Sequence, residues 1–195
     1  MIAGHFGFAA LVKSRERQAP LWALMLATVW LDIVFVPLFL AGVEPIETVA
    51  GAHGGYGENV IHADYTHSLL GALALSAAFG VAFVSRWGRR VAVTLGLVAF
   101  SHWILDLPLH RGDMPWLPGN LGHLPKLGWG LWQYPGIAMT LELLLVVAGA
   151  WFYWRAARAL TTPPQPGRPL AILVSSLILA GGVAMLALDV TGILG

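Results

Sequence analysis

Five stretches of this chain, residues 21–42, 66–85, 91–108, 132–154 and 170–190, each run for about 20 residues with at most one acidic group, the length a helix needs to cross a hydrocarbon core of roughly 30 Å. No other feature narrows the fold so far. In lipid every backbone N–H and C=O has to be satisfied within the segment, so runs of this kind fold as helices. Composition agrees, with 57% hydrophobic and 11% charged side chains, where an average soluble domain carries roughly 25% charged residues. The expected fold is all-α: a polytopic membrane helix bundle of about five transmembrane helices, with residues 1–195 forming one domain.

Residues 1–12 are also apolar, but as a helix they reach only about 18 Å, too short to span. They are expected to form a half-helix or an interfacial helix. This apolar part precedes Lys13, Arg15 and Arg17, the reverse of a signal peptide, so the chain is read as unprocessed. The basic residues fall in three clusters: Lys13, Arg15 and Arg17; Arg86, Arg89 and Arg90; and Arg155, Arg158 and Arg168. If the five spans alternate, all three clusters lie on one side, which the positive-inside rule makes the cytoplasm. The loops 43–65 and 111–131 then face outward, and their Gly, Pro and Trp content suggests ordered covers. The expected location is the cytoplasmic (inner) membrane of a bacterium or archaeon. Net charge is only +1, so nucleic acid is not an expected partner. Membrane lipid, and a small-molecule or lipid substrate, are.

Against this apolar background a few polar residues stand out. Asp32, His102, Asp106, Glu142 and Asp189 lie inside expected spans, and His67 lies at the mouth of one. A carboxylate at mid-bilayer costs roughly 2.5–3.5 kcal/mol on insertion scales, and such groups face a bundle interior where they find partners. Counting 1.5 Å per residue from each cytoplasmic end puts Asp32 and His102 near ~16 Å, Glu142 near ~20 Å, Asp106 near ~22 Å and His67 near ~27 Å, with His5 near ~12 Å along the half-helix. One outward-opening cavity could hold them all.

The spacings point to chemistry. In "HWILD", His102 and Asp106 stand at i and i+4 on one helical face, and in "DYTH", Asp64 and His67 stand at i and i+3. Two helices could each offer a carboxylate and an imidazole to one ion, as in carboxylate-bridged metal sites of helix bundles. With no cysteine in the chain, a metal has to rely on His nitrogen and carboxylate oxygen. The same pairs also occur as interhelical hydrogen bonds, and Glu142 stays open between base, ligand and packing partner. His53, His110 and His123 are expected to be solvated in outer loops. Gly181 and Gly182 could support close helix contact.

At "GHFGFAAL", "DYTHSLLGAL" and "FSHWILDLPLH" the chain resembles the YdjM-type family of membrane-bound metal-dependent hydrolases, over roughly residues 1–110. The resemblance implies a divalent metal and aligns His5, Asp32, Thr66-His67-Ser68 and Ser101-His102 with Asp106 to recurring motifs of that family. Together these readings give the expectation of a membrane hydrolase acting on a phosphoester of a lipid or envelope metabolite. Its metal, with zinc foremost, would be held by His67, His102, Asp106, Asp32 and His5, and Glu142 or Asp64 would act as general base. The alternatives are a proton or metal transport protein, built on the same intramembrane acids and histidines, and a non-catalytic membrane scaffold subunit.

Overall fold

The structure, a computed structural model, describes residues 1–49, 57–159 and 167–190. It is predominantly helical. Seven α-helices follow in order: α1 (Ile2–Lys13), α2 (Leu21–Thr28), α3 (Trp30–Leu40), α4 (Leu69–Ala82), α5 (Val84–Asp106), α6 (Pro135–Ala159) and α7 (Gly167–Val190). A small antiparallel hairpin, β1 (Ile46–Thr48) and β2 (Asn59–Ile61), pairs Glu47 with Val60 between α3 and α4.

The expectation of five spans is corrected. Among the described residues two helices, α6 and the Pro169–Leu188 part of α7, are long and apolar enough to cross a membrane, and a third span results if the bent pair α2 and α3 counts as one. This is consistent with a membrane protein. Each shortfall has a local cause. The helix expected over 66–85 starts only after Ser68, whose hydroxyl accepts the Gly71 N–H as an N-cap. Its 14 residues rise only about 21 Å. Helix α5 is broken at Gly88, which adopts φ +77°, a left-handed conformation open to glycine. The apolar part of α5 is also diluted by Arg89 and Arg90 at one end and by Ser101, His102 and Asp106 at the other. The helix expected over 21–42 bends by 47° at Val29. That break turns the Thr28 carbonyl toward His102, whose Nδ1 lies 2.7 Å away. Irregular backbone at membrane depth is tolerated where other protein groups satisfy it.

Helix α1 is the short apolar helix expected of residues 1–12, and it lies inside the bundle, packed mainly on α6 and then on α2 and α7. Glycines allow this. A Cβ on Gly149 would land on the Gly7 carbonyl oxygen, and one on Gly7 would come within 2.5 Å of the Leu145 carbonyl oxygen. Small residues fill the interior, among them Ala9, Ala10, Ala23, Ala27 and Ala99, while Leu97, Leu144, Ile172 and Leu173 are exposed. Small residues inside and large apolar ones outside is the pattern of helices that associate in lipid. Of the paired glycines in α7, Gly182 faces Val146 of α6 and Gly181 faces open space.

The 111–131 loop is an ordered cover. The Pro115 and Trp116 carbonyls accept the N–H groups of Leu69 and Leu70 at the start of α4, while the Trp129, Leu131 and Trp132 N–H groups reach carbonyls beyond the end of α5. The loop therefore satisfies unpaired N–H groups at the start of α4 and pairs with the segment that follows α5.

Candidate metal centre

Polar side chains from α1, α3, α5 and the segment before α4 converge at one buried place. Two overlapping groups, His5 with His102 and Asp106, and Asp32 with His67 and His102, have their candidate ligand atoms within 4.8 Å of one another. Buried His and Asp groups so placed could hold a metal ion. His102 is central: its Nε2 lies 3.0 Å from Asp106 Oδ2, 3.4 Å from Asp32 Oδ1 and 3.1 Å from His67 Nε2. Its ring also stacks on His5 with centroids 4.0 Å apart.

The outer nitrogens of His67 and His102 are anchored, which fixes what their inner ones present. A carbonyl oxygen only accepts, so His102 Nδ1 donates its proton to Thr28 and leaves a lone pair at Nε2 when the ring is neutral. His67 Nδ1 lies 2.9 Å from Thr66 Oγ1, whose own hydroxyl donates to Glu44 Oε2 at 2.9 Å. Nδ1 therefore carries the proton here too, and the bare Nε2 faces Asp32 Oδ1 at 3.5 Å. His5 Nε2 and Asp106 Oδ1 lie 3.2 Å apart, both buried, yet neither makes a hydrogen bond. With its proton on Nδ1, His5 would turn a third nitrogen lone pair on the carboxylate oxygens, beside those of neutral His67 and His102. Such a set of buried acceptors is costly unless a cation or protons lie among them, and N/O donors suit borderline divalent ions. The residues fit a metal.

One ligand candidate was not foreseen. His110, expected to be solvated, is 2% exposed. Its N–H bonds back to the Asp106 carbonyl, prolonging the helical turn. This brings His110 Nε2 to 3.8 Å from Asp106 Oδ2 and its ring to 6.0 Å from that of His67. His110 Nδ1 is held by Asp113 Oδ1 at 2.8 Å, and Trp132 packs on the ring. Burial works against the charge of Asp113, but the hydrogen bonds from His110 and from the Ile61 N–H outweigh it and hold this carboxyl below its ordinary range. The sequence carried the signal: "HWILDLPLH" repeats the i, i+4 step from Asp106 to His110.

The two residues expected as general bases lie elsewhere. Asp64 is paired with Lys126 Nζ at 2.6 Å, and Glu142 is wholly buried, its Oε2 accepting the Gly4 N–H of α1 at 3.2 Å. The side chain of Asp189, like all of His53, lies outside the described residues, and His123 sits exposed in the cover loop. Among the ligand candidates only Asp32 has substantial exposure, its side chain 33% accessible while those of His5, His67, His102, Asp106 and His110 reach 4% at most. Asp32 marks the open side of the cluster. No known family, curated protein or solved structure matches the chain.

Proposed function

We propose that this protein is a membrane metal-dependent hydrolase whose ion is held by His67, His102, Asp106, Asp32 and His5, with His110 joining them. The observation that supports this most directly is the facing of buried nitrogen and oxygen atoms, above all His67 Nε2 against His102 Nε2 at 3.1 Å and the His5 and Asp106 atoms that make no hydrogen bond. A divalent ion there, zinc in this reading, would polarise a scissile bond and acidify a water. The chain's own residues do the rest. Asp32, at the open side, meets water and substrate first. Because Asp64 is taken by Lys126 and Glu142 by α1, Asp32 would be the carboxylate placed to accept a proton from such a water. Glu142 acts on the centre through α1, holding the first turn that carries His5.

The substrate in this reading is a phosphoester of a lipid or envelope metabolite, in line with the resemblance to YdjM-type hydrolases. Val36, Phe39 and Leu40 of α3 are exposed on the outer side of Asp32 and give the apolar part of an amphiphile an approach from the bilayer. The centre is read as facing outward because His102 and Asp106 lie at the C-terminal end of α5, opposite Arg86, Arg89 and Arg90 at its other end, the end the positive-inside rule assigns to the cytoplasm. A transport path is disfavoured by the apolar cluster of Ala9, Ala23, Leu24, Ala27, Leu95 and Ala99, which fills the bundle on the other side of the centre.

Elemental analysis of purified protein, paired with hydrolysis of a fluorogenic lipid phosphodiester in vesicles before and after chelation, tests the proposal. Bound divalent metal and hydrolysis that chelation abolishes and zinc restores are expected. Folded protein devoid of metal, or hydrolysis indifferent to chelation, would overturn it.

A further inference from the structure

We infer that Glu44 is a positioning residue: through the Thr66 hydroxyl it sets the tautomer of His67, so that a lone pair and not an N–H faces the cluster. Only the consequence for metal affinity rests on the metal-centre reading; the hydrogen-bond chain stands without it.

Glu44 lies in the turn after α3 and is fully buried. Its two oxygens have separate tasks. Oε1 accepts the backbone N–H groups of Tyr65 at 2.6 Å and Thr66 at 2.9 Å, and Oε2 accepts the Thr66 hydroxyl at 2.9 Å. In all three contacts the Glu44 carboxylate is the acceptor. The single hydroxyl proton of Thr66 is thereby committed to Glu44, and Thr66 Oγ1 is left as an acceptor for His67 Nδ1 at 2.9 Å. The chain has a direction: His67 donates to Thr66, which donates to Glu44. His67 Nε2 is left bare toward Asp32 and His102.

The division of labour between the two oxygens makes the inference sharp. In Glu44→Gln the amide oxygen has to stay on the two backbone donors, because the alternative orientation sets an NH2 against two N–H groups. The NH2 then takes the place of Oε2 and donates to Thr66 Oγ1. The Thr66 proton turns to His67 Nδ1, and the imidazole proton moves to Nε2. A substitution that preserves shape and backbone contacts reverses the chain. His102 provides an internal reference, because its Nδ1 donates to the Thr28 backbone carbonyl, which the substitution leaves in place.

The test is nitrogen NMR of the full chain in nanodiscs, with 15N-labelled histidine, at neutral pH under chelator, with His67 assigned from its loss in His67→Gln. Wild type should show His67 protonated at Nδ1 and Glu44→Gln should show it protonated at Nε2, with His102 unchanged. An Nε2-protonated His67 in wild type, or the same tautomer in both proteins, would overturn the inference. In chelator competition with zinc, Glu44→Gln should bind on the order of 10 to 100-fold more weakly, as for loss of an outer partner of a metal-ligating His. If the tautomer switches while neither protein binds zinc, the relay stands and the metal-centre reading falls. Should Glu44→Gln fail to assemble, Thr66→Ser and Thr66→Val decide the matter: Ser keeps the Nδ1-protonated form and Val loses that preference, whereas identical His67 spectra in the two would overturn the inference.

Discussion

His67 and His102 point their Nε2 atoms at each other across 3.1 Å, while Thr66 and the Thr28 carbonyl hold the opposite nitrogens. With both rings neutral, both inner nitrogens present lone pairs, and Asp32 adds an oxygen within 3.5 Å of each. Mutual repulsion in a buried site is relieved by something positive, and the six converging side chains give a divalent ion more than enough donors.

If His102 and Asp106 ligate the same ion, each single replacement by Ala already opens the coordination shell. Metal content should then fall in His102→Ala, in Asp106→Ala and in the double variant to a similar extent, with no additivity. Elemental analysis of monodisperse preparations reads this. Wild-type metal content in either single variant would remove that residue from the ligand set.

His110→Ala should also weaken metal binding, whereas Asp113→Asn, which leaves an amide oxygen for His110 Nδ1, should cost less, on the order of 10-fold or below, at the low end of outer-partner losses. Competition against a chelator of known affinity measures both. Equal affinity of His110→Ala and wild type would return this histidine to a packing role against Trp132.

His110 also shows where sequence reading stopped. Spacing along one helix is legible and puts His102 and Asp106 on one face, whereas depth counting spreads His5, Asp32 and His67 from ~12 to ~27 Å and suggests only a shared cavity. The structure brings the five together as two overlapping groups of three that share His102. His110 escapes this reading because the expected span ends at residue 108, whereas the backbone continues its turn from Asp106 to His110. Glu44 carries no periodic signal at all. Its partners lie 21 and 22 residues away through a turn and a hairpin, contacts that exist only once the chain is folded. The spans were overcounted for a related reason: hydropathy registers apolar length but not the bend at Val29 or the left-handed Gly88, where backbone geometry serves the centre or the crossing of helices.

Helix α1 delivers His5 only because Gly7 and Gly149 let its backbone touch that of α6. Gly149→Ala places a methyl group on the Gly7 carbonyl and should destabilise the protein by about 1–3 kcal/mol, the usual cost of overpacking. Gly181→Ala, where a Cβ meets nothing within 4 Å, should be neutral or slightly stabilising through helix propensity. Thermal unfolding in detergent compares them. A Gly149→Ala protein as stable as wild type and as rich in metal would mean that α1 does not need this crossing.

Single cysteines in a chain that has none report sidedness. Cysteine at Trp116, exposed in the cover loop, should react with a membrane-impermeant maleimide from outside intact cells, and cysteine at Arg86 only after permeabilisation. The opposite pattern would turn the centre toward the cytoplasm.

His67 separates a metal centre from a polar bundle stabilised by protons. A ligating imidazole has to be neutral, so protons compete with the ion and metal should leave as pH falls. A centre held together by protonated histidines predicts the reverse: the cluster tightens on acidification and there is no ion to release. His67→Gln keeps a polar side chain between Thr66 and Asp32 but replaces imidazole with a much poorer ligand. That variant should stay monodisperse, lose metal at neutral pH and show no hydrolysis. Metal content of both proteins across a pH series, with size-exclusion profiles at each point, measures this. Full occupancy in folded His67→Gln would sink His67 as a ligand, and occupancy in wild type that ignores pH would show that the imidazoles of this cluster do not hold the ion.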